Sequence, residues 1–466
     1  MVFSSATFIF YFLPVTILFY YLVPDRMKNA VLLFVSLFFY GFGEPVYIMI
    51  MILSIFIDYF NGLFIEKYRH RKKLSKVFLI LSVIANLGLL GIFKYGDFFI
   101  GNTNILFGTN LKLLEVALPI GISFFTFQTM SYSIDVYRGE VKAQRNLITF
   151  GTYVSMFPQL IAGPIVIYKD VEKQLQERTV DAEHLSDGIQ RFILGLGKKV
   201  LLANGIGALW EQVKMLPVEN LSVTTAWIGA AAFSLQIYFD FSGYSDMAIG
   251  LGKIFGFDFL ENFNYPFTSR SITEFWRRWH ISLSKWFRNY LYYPLGGNRN
   301  GILITLRNIA VVWILTGFWH GASWNYVLWG VFFAVILIME KVILKSVLPK
   351  MGGFFSRVYT LPVLMISFVI FALEDLNHLS LYLKVMTGDG PLLDQLSFYY
   401  LSRYIALFAL LILFSTPWPY RKFLRLTRKK GMRSKLISGA VILCIFILST
   451  AYIVDGAYNP FLYFRF

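Results

Sequence analysis

What the chain lacks narrows its class before any motif is read. It has one cysteine, Cys444, inside an apolar run, so no intramolecular disulfide can form. Charged residues make up only 15% of the 466 positions, where a soluble domain carries about 25%. Acidic residues are scarce, 27 against 43 basic ones. There is no H-E-x-x-H zinc pair and no Walker loop. No G-x-S-x-G nucleophile elbow occurs either. Gly195-Leu196-Gly197 and Gly250-Leu251-Gly252 are too short to bind a nucleotide and suit close helix packing. No low-complexity tract, clear repeat or dividing linker is present, and the chain reads as one domain, 1–466. The N-terminus lacks a positive n-region, so its apolar run is expected to stay as a first span, not a cleaved signal.

What the chain has is hydrophobic length. Hydrophobic residues reach 57%, and mean hydropathy is +0.59. Apolar runs of roughly 20 residues recur, each able to cross a hydrocarbon core about 30 Å thick. The fold class is an all-α polytopic membrane protein with about 11–12 transmembrane helices plus re-entrant or interfacial helices. The expected spans are 8–23, 29–43, 44–60, 77–96, 113–134, 192–213, 223–249, 302–320, 324–345, 357–373, 398–416 and 436–455. The net charge of +16 would suggest nucleic acid in a soluble protein. Here the basic residues cluster in short loops, as the positive-inside rule requires. With the N-terminus outside, Asp25–Lys28, Glu66–Lys73, Arg138–Arg145, Arg270–Arg299 and Arg421–Lys435 all fall on the cytoplasmic side.

Two stretches depart from plain spans. Ile148–Tyr168 is apolar but interrupted by Pro158, Gly163 and Pro164, and both its flanks are charged. A re-entrant hairpin fits, because proline removes a backbone donor and clashes with the preceding turn, and broken backbone at membrane depth needs protein or a cavity to cover it. Lys169–Arg191 is then a cytoplasmic surface helix or pair of helices. The second stretch is Ile272–Tyr290. At 100° per residue, Ile272, Phe275, Trp276, Trp279, Leu283, Trp286, Phe287 and Tyr290 share one stripe, with Arg277, Arg278, Lys285 and Arg288 opposite. That pattern predicts a helix lying at or dipping into the interface, with His280 and Ser284 on its border.

The chemistry concentrates between Tyr265 and Gly330, which hold His280, His320 and seven of the ten tryptophans. His320 ends a run, Ile302 to Trp319, whose single charge is Arg307. An ionisable residue within a span is a functional candidate, and neutral imidazole suits taking a proton from a hydroxyl. The other reading is a histidine hydrogen-bonded to a carbonyl at a helix end. His280 reads either as its partner or as an interfacial residue. His70, His184 and His378 lie in polar or loop segments and read as solvated. Asp135, Asp240 and Asp246 are carboxylates in or at the ends of spans and need partners, with Arg138 or an arginine of the 270–299 group available. Asp246 is the one most suited to lining a site. A basic face beside an apolar groove suits an acyl thioester with a phosphate-bearing handle; anionic lipid headgroups are the other reading.

The wording FWRRWHISLSKWFRNYLYYPLGGNR (Phe275–Arg299) and GFWHGASWNYVLWG (Gly317–Gly330) resembles the membrane-bound O-acyltransferase family. MVFSSATFIFYFLP, FFTFQTMSYSIDVYRGE (Phe124–Glu140), FPQLIAGPI (Phe157–Ile165) and YFDFSGYSDMAIGLG (Tyr238–Gly252) are similar to its bacterial polysaccharide-acetylating branch in wording and order. One departure is Ile167, where the pattern carries a basic residue. The resemblance implies a ring of helices around a central tunnel with a catalytic core at about 115–345. It makes His320 the main catalytic histidine and His280 its partner. Trp279, Arg277, Arg278, Ser284, Arg288, Trp319, Asp246 and Asn325 are the candidate substrate-binding residues, with Arg299 a further phosphate contact, and no metal is expected. No cofactor is expected to be bound; acetyl-CoA or another acyl thioester is the implied donor. The implied activity is O-acetylation of an extracellular or cell-wall polysaccharide such as an alginate-like exopolysaccharide, completed by a serine hydrolase-like partner protein outside the inner membrane. D-alanyl export to teichoic acid is the competing cargo. A polysaccharide or lipid transporter is the competing class, though no matched pair of broken helices in two halves supports it.

Overall fold

The computed structural model of the protein describes residues 1–161, 163–427 and 431–456. Part of the basic stretch after Arg421, namely Arg428 to Lys430, therefore lies outside the described residues. Among those described, the chain is helical and contains no strand. Eight helices among the described residues are long and apolar enough to cross a bilayer: Ile48–Lys67, Lys72–Phe107, Ala182–Lys214, Ile302–His320, Trp324–Val342, Gly353–Ala372, Gln395–Phe414 and Met432–Val454. Twenty residues at 1.5 Å per residue give the 30 Å required. Large apolar side chains such as Phe34, Ile84, Leu303 and Ile412 point outward from the helices, which suits hydrocarbon and not water. The protein is an all-α polytopic membrane protein.

The other expected spans are also helical but differ in kind. Phe8–Leu22 is a shorter apolar helix, and Lys28–Gly43 and Ile122–Arg138 have 16 and 17 residues. Val223–Ile254 runs 32 residues but buries Ser234, Gln236, Asp240, Ser242, Ser245 and Asp246. It is an interior helix facing protein. The run expected to start at 113 becomes helical only at Ile122. Before it the chain is irregular and tied down by Asp97, whose carboxylate accepts from the Leu114 and Glu115 N–H groups at 2.6 and 3.1 Å. Pro119 and the left-handed Gly121 (φ 75°) delay the helix start.

The chain packs as two compact units, Met1–Phe192 with Ser245–Leu260, and Ile193–Tyr244 with Glu261–Phe466. In the first, Ile48–Lys67 packs on Lys72–Leu90 and Ile122–Arg138. The fully buried Asp58 joins the three helices, accepting from Asn86 at 2.8 Å, from Ser133 at 3.1 Å and from the Ser82 hydroxyl. The proline-interrupted stretch is broken as its sequence requires. Helix Leu147–Ser155 stops at Met156, one short turn follows at Phe157–Leu160, and the described residues from there to Ile167 are non-helical but largely buried. Its exposed backbone groups find partners: the Phe157 N–H donates to Ser36 at 3.0 Å. The polar segment beyond it forms two helices, Tyr168–Gln176 and Ala182–Gly197.

The second unit carries His280 and His320. The helices that frame them are α1 (Val223–Ile254, to Tyr244 within this unit), α2 (Ile272–Arg278), α3 (Ile281–Phe287), α4 (Ile302–His320), α5 (Trp324–Val342) and α6 (Gly353–Ala372). α4 and α5 pair at close range through glycine. A Cβ on Gly317 would sit 2.2 Å from the Tyr326 carbonyl oxygen, and one on Gly330 would sit 2.5 Å from that of Trp313. Only hydrogen fits at either place, and this explains two of the glycines in the GFWHGASWNYVLWG motif. Asp240 on α1 is buried and pairs with Lys199 at 2.7 Å. The sequence pointed to Arg138 or the 270–299 arginines as partners for such carboxylates. The ion pair is instead made with Lys199, from the helix Ala182–Lys214.

Candidate functional site

The long amphipathic helix expected over Ile272–Tyr290 is divided. α2 ends at Arg278, His280 takes a left-handed conformation (φ 44°, ψ 55°), and α3 begins at Ile281. Such a conformation is uncommon outside glycine, though histidine is among the residues enriched there. The corner is held by the segment before α2. Asn264 N–H donates to the Arg278 carbonyl at 2.9 Å, and Ile281 N–H donates to the Asn262 carbonyl at 3.0 Å. At the far end of α2 the buried Glu340 of α5 accepts the Ile272 and Thr273 N–H groups at 2.6 and 2.8 Å. These would otherwise be orphan donors of the first turn. The apolar stripe survives the break, with all eight of its residues buried.

His320 is the last residue of α4, and Gly321 is extended. Its buried imidazole sits among aromatic rings, with centroids 5.0 Å from Trp319, 5.1 Å from Trp329 and 5.2 Å from Phe371. His280 is buried too, 4.8 Å from the Phe241 ring and 6.2 Å from that of Trp319. Trp319 thus neighbours both imidazoles, which can be no farther apart than the sum of their distances to it. Residues 40 positions apart in sequence are brought onto one tryptophan.

A cavity of about 720 Å³ opens beside this pair. His280, Ser284, Arg277 and Arg288 line it, as does Thr316, one turn before His320 on α4; His320 itself is not among the lining residues. The polar wall is cationic. Arg270, Lys341 and Lys345 join Arg277 and Arg288 there. The lining has one acid, Glu340, and its carboxylate is engaged by the α2 N-terminus and the Thr273 hydroxyl.

The other candidates have different places. Arg278 turns to Glu274 in an ion pair of 2.8 Å and is absent from the cavity wall, as is Arg299. Trp279 packs away from the cavity, its ring 5.3 Å from both Phe275 and Phe368. Asn325 donates to the Phe371 and Ile370 carbonyls at 3.0 and 3.3 Å, holding the residue whose ring abuts His320. Asp246 belongs to the first unit, where Arg191 holds it at 2.6 Å. Sequence reading missed Asn262, Glu340, Arg270, Lys341 and Lys345. Only the last three had a signal, their positive charge at a helix end.

The model of the MBOAT, membrane-bound O-acyltransferase family matches residues 46–382, which contain both histidines and the whole cavity. The chain belongs to this family. It is a multi-pass membrane O-acyltransferase. The probable alginate O-acetylase AlgI of Pseudomonas putida is 38% identical over 487 aligned positions spanning all of both chains. That of Pseudomonas aeruginosa is 43% identical over 381 positions, 81% of this chain and 73% of its relative. The peptidoglycan O-acetyltransferase of Helicobacter pylori is 34% identical over 436 positions, 85% of this chain and 82% of the other.

Proposed function

We propose that this acyltransferase takes an acetyl group from cytoplasmic acetyl-CoA and moves it across the inner membrane for O-acetylation of an extracytoplasmic polysaccharide. The observation that carries this reading is the cavity, where cationic side chains share the wall with His280 and with Thr316, one turn before His320 on α4. The names of the relatives that align over four-fifths or more of the chain favour acetyl over D-alanyl as cargo. Arg277 and Arg288 meet the donor phosphates, and the apolar walls around Trp276 and Leu283 hold its pantetheine arm. His320 acts as general base: the acceptor oxygen attacks the thioester carbonyl, its proton passes to the imidazole, and the C–S bond breaks as that proton is returned to the leaving sulfur. His280 either orients the acceptor or polarises the carbonyl oxygen. An extracytoplasmic serine hydrolase-like protein then completes delivery to the polymer.

Label transfer from acetyl-CoA carrying a radioactive acetyl group tests the reading in membranes. A positioned base contributes about 10²–10⁴-fold, so His320→Ala is expected to lose transfer by that factor at normal protein levels. Wild-type transfer by this variant refutes the base assignment. A polymer transporter would give no labelled ester at all.

A further inference from the structure

We infer that Asn262 is a positioning residue that holds His280 as the tautomer protonated on Nδ1, so that Nε2 presents a lone pair to the substrate. The inference rests on the acyltransferase reading of the site and chooses between the two roles open to His280. It begins with hydrogen bonds whose direction cannot be reversed. The Asn262 side-chain oxygen lies 3.2 Å from the Ser282 backbone nitrogen, and a backbone N–H can only donate. The Ser282 hydroxyl donates to the same oxygen at 3.0 Å. The atom facing Ser282 is therefore the amide oxygen; the amide NH2 in its place would set two donors against each other. His280 Nδ1 lies 3.2 Å from that same oxygen. An oxygen that only accepts requires Nδ1 to carry the hydrogen, and in a neutral imidazole the lone pair then falls on Nε2.

The rest of the corner leaves little freedom to escape this arrangement. Asn262, His280 and Ser282 are each 1% exposed. The Asn262 carbonyl accepts from Ile281 N–H, so backbone and side chain of one residue grip both sides of His280. Phe241 lies edge-on to the imidazole at 89°, and Trp319 is on its other contact, which sets the ring plane. Outer partners that fix a histidine's tautomer and orientation are a general device in sites where one ring nitrogen must act.

The chemical consequence is specific. A neutral imidazole with its lone pair on Nε2 cannot donate to the oxygen that becomes negative as the thioester is attacked. His280 therefore acts on the acceptor, receiving a hydrogen bond from one of its hydroxyls. With His320 taking the proton of the reacting hydroxyl, the one held by His280 is a neighbouring hydroxyl, which suits a sugar. The donors that meet the developing oxyanion must come from elsewhere in the site.

The test uses the full-length protein labelled with nitrogen-15 histidine in lipid nanodiscs at neutral pH, with His280→Gln to assign the His280 signals. The wild type is expected to show protonated Nδ1 and unprotonated Nε2 at His280. Asn262→Ala is expected to show mixed tautomers and at least a tenfold lower kcat with the KM for acetyl-CoA unchanged; Asn262→Asp, which keeps an accepting oxygen, is expected to restore the single tautomer and most of the rate. A wild-type His280 protonated on Nε2 overturns the inference, and so does an unchanged kcat in Asn262→Ala. Because the tautomer is read without turnover, a wild-type protein that transfers no acetyl group counts against the acetyl-CoA reading and leaves the Asn262 assignment to be decided by the spectrum alone.

Discussion

Replacing Gly330 by alanine adds one methyl group where two helices touch. The new Cβ would lie 2.5 Å from the Trp313 carbonyl oxygen and 3.2 Å from the Ile314 Cα, both backbone atoms of α4. Ordinary contact begins at 3.4 Å, so α4 and α5 must part by about 1 Å, since backbone cannot swing aside as a side chain can. Overpacking of this kind costs about 1–3 kcal/mol. The displaced segment is two turns from His320, and a misplacement of about 1 Å at a reacting group costs around 10²-fold in rate. Gly330→Ala is therefore expected to lower acetyl transfer about a hundredfold and to lower the melting temperature, while the protein still reaches the membrane. Gly88→Ala is the control. Gly88 is also helical but has nothing within 4 Å of its added Cβ. There the usual helix preference for alanine, about 1 kcal/mol, acts alone and the melting temperature should hold or rise. Transfer and melting at wild-type levels in Gly330→Ala would refute the argument that close packing sets the position of His320.

Two further outcomes follow from charge. Arg277→Glu combined with Arg288→Glu reverses two of the five basic residues of the cavity, and the KM for acetyl-CoA is expected to rise at least tenfold while kcat changes less. An unchanged KM would remove the arginines from donor binding. Asp394 caps the helix Gln395–Phe414, accepting the Ser397 N–H at 2.7 Å and the Thr225 hydroxyl at 3.0 Å. Burial alone would raise its pKa, but these hydrogen bonds outweigh it and hold the carboxyl below its usual range. A depressed folded-state value means the stabilisation is present above the ordinary carboxylate range and is lost as pH falls through the lowered one. Asp394→Ala should thus cost about 1 kcal/mol at neutral pH, and the difference from wild type in melting temperature should shrink at acidic pH. A difference independent of pH would show that the charge plays no part.

The apolar runs and the proline-broken stretch were legible because each follows from a local rule: length against bilayer thickness, and a missing donor at Pro158. The corner at His280 was not. Trp279 and His280 contain neither proline nor glycine, and the apolar stripe continues in register through the break, so periodicity reads as one helix. What bends the chain is a set of contacts from Asn262 and Asn264, and these exist only after folding. Carboxylate partners failed for a related reason. Charge in the sequence offered Arg138 or the 270–299 arginines for Asp240 and Asp246, whereas packing supplies Lys199 and Arg191. Glu340 was invisible because a carboxylate near a helix end reads as solvated, and only the fold sets it on the first turn of α2.

The two histidines are positioned by different physics, and this bears on how the site tolerates change. His320 depends on steric closeness: glycines at 317 and 330 let α4 and α5 meet, and Trp329 and Phe371 fill the space around its ring. A site held this way fails gradually, since each added methyl shifts the helix by a fraction of an ångström. His280 depends on a few directional bonds at a left-handed corner. Lost bonds there release a strained conformation that costs about 1–3 kcal/mol to hold, so failure is expected to be abrupt. Small-to-larger substitutions along α4 and α5 should therefore grade the transfer rate, whereas substitutions around Asn262 should split into those that keep an accepting oxygen and those that do not. A graded series at both places would mean that packing alone positions both rings.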